Sequence, residues 1–185
     1  MIYKQILLPF WKKYYDYEFL IGDSNKSAFS ILKNIKEQIA LSGPAKSGKK
    51  HLASLASKEF GFDCFLLSAF DSKKFLDQYE ELKKNNKPAV WIIDMDLNLV
   101  VKDIRSRICA MFQAEIEELS DDLFFSIFEN RLKRLSIPLK VDWFNCCFSW
   151  MPKTFFALDS CVEFISANPG VSHKVLKQFI LENFK

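Results

Sequence analysis

Gly43-Pro44-Ala45-Lys46-Ser47-Gly48-Lys49-Lys50 is a run whose residue types can hold phosphate. Its spacing is G-x-x-x-x-G-K. In that pattern the backbone N–H groups of a glycine-bearing turn, and of the helix after it, cradle an anion while the lysine reaches the terminal phosphates. The next position ordinarily holds Ser or Thr, whose hydroxyl ligates the Mg2+ of a bound nucleotide. Here it is Lys50, and an ammonium group has three donors and no acceptor. The loop keeps the means to hold phosphates, while the usual route to metal-assisted hydrolysis is damaged. The bland alternative is a strand-to-helix turn that binds nothing.

Two further places bear on the same chemistry. Trp91-Ile92-Ile93-Asp94 ends an apolar run in a carboxylate, which suits the acid that holds the nucleotide's metal through water. A carboxylate beside it would activate the attacking water, but the neighbour is Met95, with Asp96 one residue on. The alternative is a strand-terminal acid at the sheet edge. Asp103-Ile104-Arg105-Ser106-Arg107-Ile108 carries two of the chain's four arginines, against 22 lysines. A guanidinium offers a planar fork to a transferring phosphate, which a lysine does not reproduce, and such an arginine can act on a neighbour's nucleotide. Two solvated helical arginines are the plain alternative.

The elements that must position these groups are legible from periodicity. Residues 24–37 place Ala28, Phe29, Ile31, Leu32 and Ile35 at helical spacing, with Ser24 or Asn25 as cap. Gln38 to Ser42 reads as a buried strand feeding the loop, and Lys49 to Glu59 as the helix leaving it. Cys64–Leu67 and Ala89–Asp94 read as further buried strands, with a helix over Ser72–Lys84 between them. Strands alternating with helices imply a parallel sheet covered on both faces. Beyond Asp96 the alternation stops, and helix is expected over most of the remaining chain: from Asp103, after the N-cap at Leu119-Ser120-Asp121-Asp122, and over Val141–Trp150, Lys153–Ser166 and Ser172–Phe184.

Composition narrows the class without naming a function. The chain has 185 residues, 49% hydrophobic and 26% charged, as an ordinary globular protein has. A net charge of +3 is too small to argue for nucleic acid or a membrane surface. No run of 18 apolar residues occurs, so no transmembrane helix is expected, and the N-terminus lacks the features of a signal peptide. The five cysteines (Cys64, Cys109, Cys146, Cys147, Cys161) have no C-x-x-C spacing and suit reduced thiols in the cytoplasm. His51 and His173 are not at ligand spacing, so no metal site is expected.

The leader, loop, acid strand and arginine segment occur in the order of the DnaA-related AAA+ family, and the chain resembles its clamp-associated regulators. Phe19-Leu20-Ile21-Gly22-Asp23-Ser24-Asn25 with Ala28 is similar to the family's segment before its first helix, and Gly43 to Leu52 to its phosphate loop, with Lys50 departing. Asp103 to Ile108 resembles its arginine-finger box, and Leu119 to Leu139, with Arg131-Leu132-Lys133-Arg134, the start of its helical lid. Gln5-Ile6-Leu7-Leu8-Pro9-Phe10 is similar to the peptide by which bacterial proteins dock on the DNA polymerase III sliding clamp. As a pocket peptide it is well composed. Leu8 and Phe10 are apolar anchors, Pro9 limits the entropy lost on binding, and Gln5 offers a donor and an acceptor. A tail packed on its own domain is the alternative.

The resemblance implies an α/β P-loop NTPase fold of AAA+ type in three layers, followed by a small all-helical lid. The expected divisions are a clamp-binding leader at 1–13, the α/β domain at 14–112 and the lid at 113–185. It implies Arg107 as a finger acting in trans. It assigns nucleotide contacts to Gly43, Pro44, Ala45, Lys46, Ser47, Gly48, Lys49, Lys50 and Asp94, with Lys153 standing in for the second sensor arginine. The implied cofactor is ADP or ATP, with the protein's hold on Mg2+ weakened. The implied partners are the sliding clamp and DnaA, with self-association open, no membrane, and no direct DNA binding. Only eight residues separate Asp94 from Asp103, where the family fits a helix, a strand and its first sensor residue, so the sheet is expected to be one strand short. Little intrinsic turnover is expected. The rival readings are a working ATPase that tolerates Lys50, a DNA-binding initiator relative, and a paralogue that binds the clamp and nothing more.

Overall fold

The computed structural model describes residues 19–67 and 72–184. Among the described residues four strands form one parallel sheet: β1 (Gln38–Ser42), β2 (Asp63–Leu67), β3 (Ala89–Ile93) and β4 (Phe112–Glu115), in the order β2-β3-β1-β4. Helices connect them: α1 (Asp23–Lys33) precedes β1, α2 (Lys49–Phe60) comes after it, α3 (Ser72–Lys84) leads to β3, and α4 (Lys102–Ala110) to β4. The expected α/β P-loop arrangement is present.

Period-two alternation divides the sheet's side chains between two cores. Ile39, Leu41, Val90, Ile92 and Ala114 pack with Ala28 and Leu32 of α1 and with Leu52, Ala53 and Ala56 of α2. Ala40, Ala89, Trp91 and Ile93 pack with Phe75, Tyr79 and Leu82 of α3 and with Ile104 and Ile108 of α4. The second core is aromatic. The Trp91 ring stacks on Phe65 at 4.7 Å and meets Phe75 edge-on at 4.7 Å. Its indole N–H would be costly to bury unpaired. It donates to Gln38 Oε1 at 2.8 Å, and Gln38 Nε2 donates to the Tyr79 carbonyl at 3.0 Å.

Directly beside β1 lies β3, in register from Gln38↔Ala89 to Leu41↔Ile92. Only a 3₁₀ turn, Leu97–Leu99, stands between β3 and α4. The narrow spacing after Asp94 thus leaves no strand between those two, as expected. The fourth strand differs from the sequence reading, which carried helix on from Asp103. Helix α4 ends at Ala110, and Phe112–Glu115 pairs with β1 as an edge strand. An edge strand of four residues, of which only Ala114 is buried, presents neither an apolar run nor a full alternation. A division at 112/113 would cut it.

Contacts separate the chain into two compact units. The first comprises Ser27–Gly43 and Gly48–Ile116, with Phe19; the second comprises Leu20–Lys26, Pro44–Ser47 and the chain from Glu117 onward. The second unit is helical beyond Glu117: α5 (Asp121–Arg134), α6 (Val141–Trp150), α7 (Phe155–Ala167) and α8 (His173–Asn183). Side chains cap three of these helices. Ser120 accepts from the Leu123 amide, Thr154 from Ala157 and Ser172 from Val175. Phe124, Phe128, Leu132, Cys147, Leu158, Cys161, Ile165, Leu176 and Ile180 fill its core. The Trp143 indole donates to the Val171 carbonyl at 2.8 Å, tying α6 to the turn before α8. Among the described residues no helix is long and apolar enough to cross a membrane.

Candidate functional site

The loop that joins β1 to α2 depends on its glycines. Gly43 has φ +145 and Gly48 φ +91, both outside the ordinary range of residues with a Cβ. At Gly43 space forbids one as well, since a Cβ there would stand 2.4 Å from the Ile116 carbonyl oxygen. That oxygen is backbone, anchored where the Ile116 amide donates to Ser42 at 2.9 Å, so no side-chain rotation relieves the clash. Gly43→Ala is expected to lower the unfolding free energy by roughly 2–3 kcal/mol, read by denaturant unfolding. Lys46 also has positive φ, at 60, and its Nζ lies 3.6 Å from the centre of the Phe156 ring. Ser47 is buried at 7%, and its hydroxyl has no hydrogen-bond partner among the described residues. A buried unsatisfied hydroxyl is costly unless something else binds there. Left-handed glycines, a helix N-terminus and a lysine, all within one compact unit, together fit a phosphate-bearing ligand.

Three charges meet at the base of this loop. Lys49, buried at 4%, donates to the Gly43 carbonyl at 2.9 Å and lies 3.6 Å from Asp94 Oδ1. Lys50 Nζ lies 2.7 Å from Asp94 Oδ2. Burial pushes the Lys49 ammonium below its ordinary pKa, and the attraction of Asp94 does not offset it. The Asp94 carboxyl is held below the usual carboxylate range, chiefly by its hydrogen bond from Lys50. The stabilisation from that lowered carboxyl is therefore present above the ordinary range near pH 4 and fades as the pH falls through the lowered value.

These residues do not fit a divalent metal. Mg2+ takes oxygen ligands in near-octahedral geometry. Position 50 supplies an ammonium, and the carboxylate at 94 is already engaged by it. A cation brought to Asp94 would sit beside Lys50. At about 4 Å each pair of unit charges repels by about 1 kcal/mol in water and about 4 kcal/mol in a surface environment of intermediate dielectric.

Arg107 lies in the last turn of α4. Its side chain is 32% exposed. The guanidinium pairs with Glu80 of α3, lies 3.5 Å from Asp103 one turn back, and sits 5.5 Å from the centre of the Tyr79 ring. Both carboxylates are more than half exposed, at 56% and 59%. Surface pairs of this kind contribute little, because water and salt screen them. The arginine is thus at the surface and lightly held. Arg105, on the same helix, is exposed.

Lys153 pairs with Asp121 of α5, and its ammonium lies 4.9 Å from the Phe148 ring. Gln5, Leu8, Pro9 and Phe10 lie outside the described residues. The structure thus brings Gly43, Lys49, Lys50 and Asp94 together within the first unit, and sets Arg107 apart on α4. Sequence reading missed the contact of Lys50 with Asp94, the partner Glu80 and the ring under Lys46. Each joins residues distant in the chain, with no local signal.

Comparison with known proteins bears on the fold. No protein-family model matches the chain, and no curated protein does. Solved structures do match. The replication initiator DnaA bound to AMPPCP and single-stranded DNA is similar with a TM-score of 0.68 and 18% identity, over 89% of this chain and 67% of that one. AMPPCP-bound DnaA from Aquifex aeolicus is similar with a TM-score of 0.69 and 18% identity, over 86% and 67%. Domain III of the Thermotoga maritima replication initiation protein DnaA is similar with a TM-score of 0.59 and 14% identity, over 90% and 94%. The chain has a DnaA-like AAA+ fold.

Proposed function

We propose that this chain is a regulator of replication initiation of the Hda type, which docks on the DNA polymerase III sliding clamp and promotes hydrolysis of ATP held by DnaA. The observation that carries the reading is a contrast within one α/β unit. The acid that would hold a metal is bound to Lys50 at 2.7 Å, whereas Arg107 stands at the surface in pairs that release readily. Such a chain is a poor hydrolase that still owns a group useful to another.

In this reading Arg107 leaves Glu80 and Asp103 and presents its fork to the phosphates of a DnaA-bound ATP. The guanidinium stabilises charge that grows on the transferring group. Residues 5–10 tether the chain to the clamp, which raises its effective concentration at the replisome. The phosphate loop holds ADP or ATP as a structural ligand, a use supported by the AMPPCP in its structural neighbours. The DNA in one neighbour does not carry over, because a net charge of +3 supplies little for phosphate neutralisation.

Intrinsic turnover tests the division of labour against the rival of a working ATPase. The purified chain with ATP and Mg2+ is expected to release phosphate no faster than its Lys49→Ala variant. Mg2+-dependent release that the variant abolishes would favour the enzyme reading.

A further inference from the structure

We propose that the Lys50 ammonium takes the place of the divalent cation at the phosphate loop, so that the loop binds a nucleoside di- or triphosphate in its metal-free form. The inference deepens the nucleotide-binding part of the proposed function and rests on it.

Lys49, Lys50 and Asp94 sum to one net positive charge, contributed wholly by the chain, at the N-terminus of α2, where the helix dipole favours an anion. In an ordinary loop of this spacing the positive charge opposite the acid belongs to a metal, held by a hydroxyl at the position Lys50 occupies. Here a cation is fixed at that position by covalent linkage and rests 2.7 Å from the same acid. An ammonium carries three donors. One is engaged by Asp94, which leaves the group able to donate to phosphate oxygens as well. A metal would compete with Lys50 for Asp94 and gain no hydroxyl ligand in exchange.

Calorimetric titration of the full chain with ADP, in EDTA and then in excess Mg2+, tests this. Wild type is expected to bind in EDTA with equal or higher apparent affinity than in Mg2+, because Mg2+ sequesters the form the loop accepts. Lys50→Thr restores the hydroxyl and removes the cation. It is expected to bind about tenfold more weakly in EDTA and to recover on addition of Mg2+. Asp94→Asn leaves both lysines unneutralised and is expected to tighten binding in EDTA. Both positions are partly exposed, so neither change disturbs a core. Tightening of wild type by Mg2+, or an EDTA affinity unchanged in Lys50→Thr, would overturn the inference while leaving nucleotide binding intact. Absence of ADP binding by wild type in either buffer would overturn both.

Discussion

Arg107→Ala is expected to lower the stimulated hydrolysis of DnaA-bound ATP by about a thousandfold, or to the unstimulated rate if that is reached first. The size reflects the role. A finger acts only on the transition state, so its loss appears in turnover rather than in association. Arg107→Lys is expected to recover little, since an ammonium keeps the charge and loses the fork. Arg105→Ala, exposed on the same helix, is expected to leave stimulation near wild type. The surface pair adds a second reading of the same experiment. Glu80→Gln frees one side of the guanidinium and is expected to raise stimulation by up to about fivefold, the equivalent of one exposed ion pair. A single-turnover assay, measuring ADP on DnaA with each variant in turn, checks the set. Stimulation unaffected by Arg107→Ala would rule out the finger.

The second large effect is expected at the leader. Leu8→Ala with Phe10→Ala should weaken capture by purified sliding clamp by about a hundredfold or more, because each fully buried apolar anchor contributes about 1.5–3 kcal/mol. In the proposed function the tether acts through concentration and not through contacts to DnaA, so stimulation of DnaA away from the clamp is expected to change far less. Capture undiminished by the double substitution would show that residues 5–10 are not the docking peptide.

The fold was more legible than the site because its signals are local. Ala89–Ile93 is apolar at every position and buried at every position. Gln38–Ser42 and the helix over Ser72–Lys84 likewise stand where periodicity put them. That no strand stands between Ala89–Ile93 and Lys102–Ala110 could be read from the eight-residue gap after Asp94, a matter of chain length alone. The edge strand could not, because pairing with β1 on one side makes Phe112–Glu115 a strand despite three exposed residues in four. At the site, residue types announced a phosphate loop with a missing hydroxyl. What fills that gap was hidden. Lys50 and Asp94 are 44 positions apart and meet only because β3 lies directly beside β1. Glu80 is similarly invisible as a partner of Arg107, since it depends on α3 and α4 covering the same face of the sheet.

The most direct test of the central claim places the purified chain with ATP-loaded DnaA and clamp-loaded DNA and measures the rate at which ADP appears on DnaA. The expected rate is well above that of DnaA with loaded clamp alone, and is lost when Arg107 is replaced by alanine. A rate equal to that of DnaA without the chain would contradict the claim.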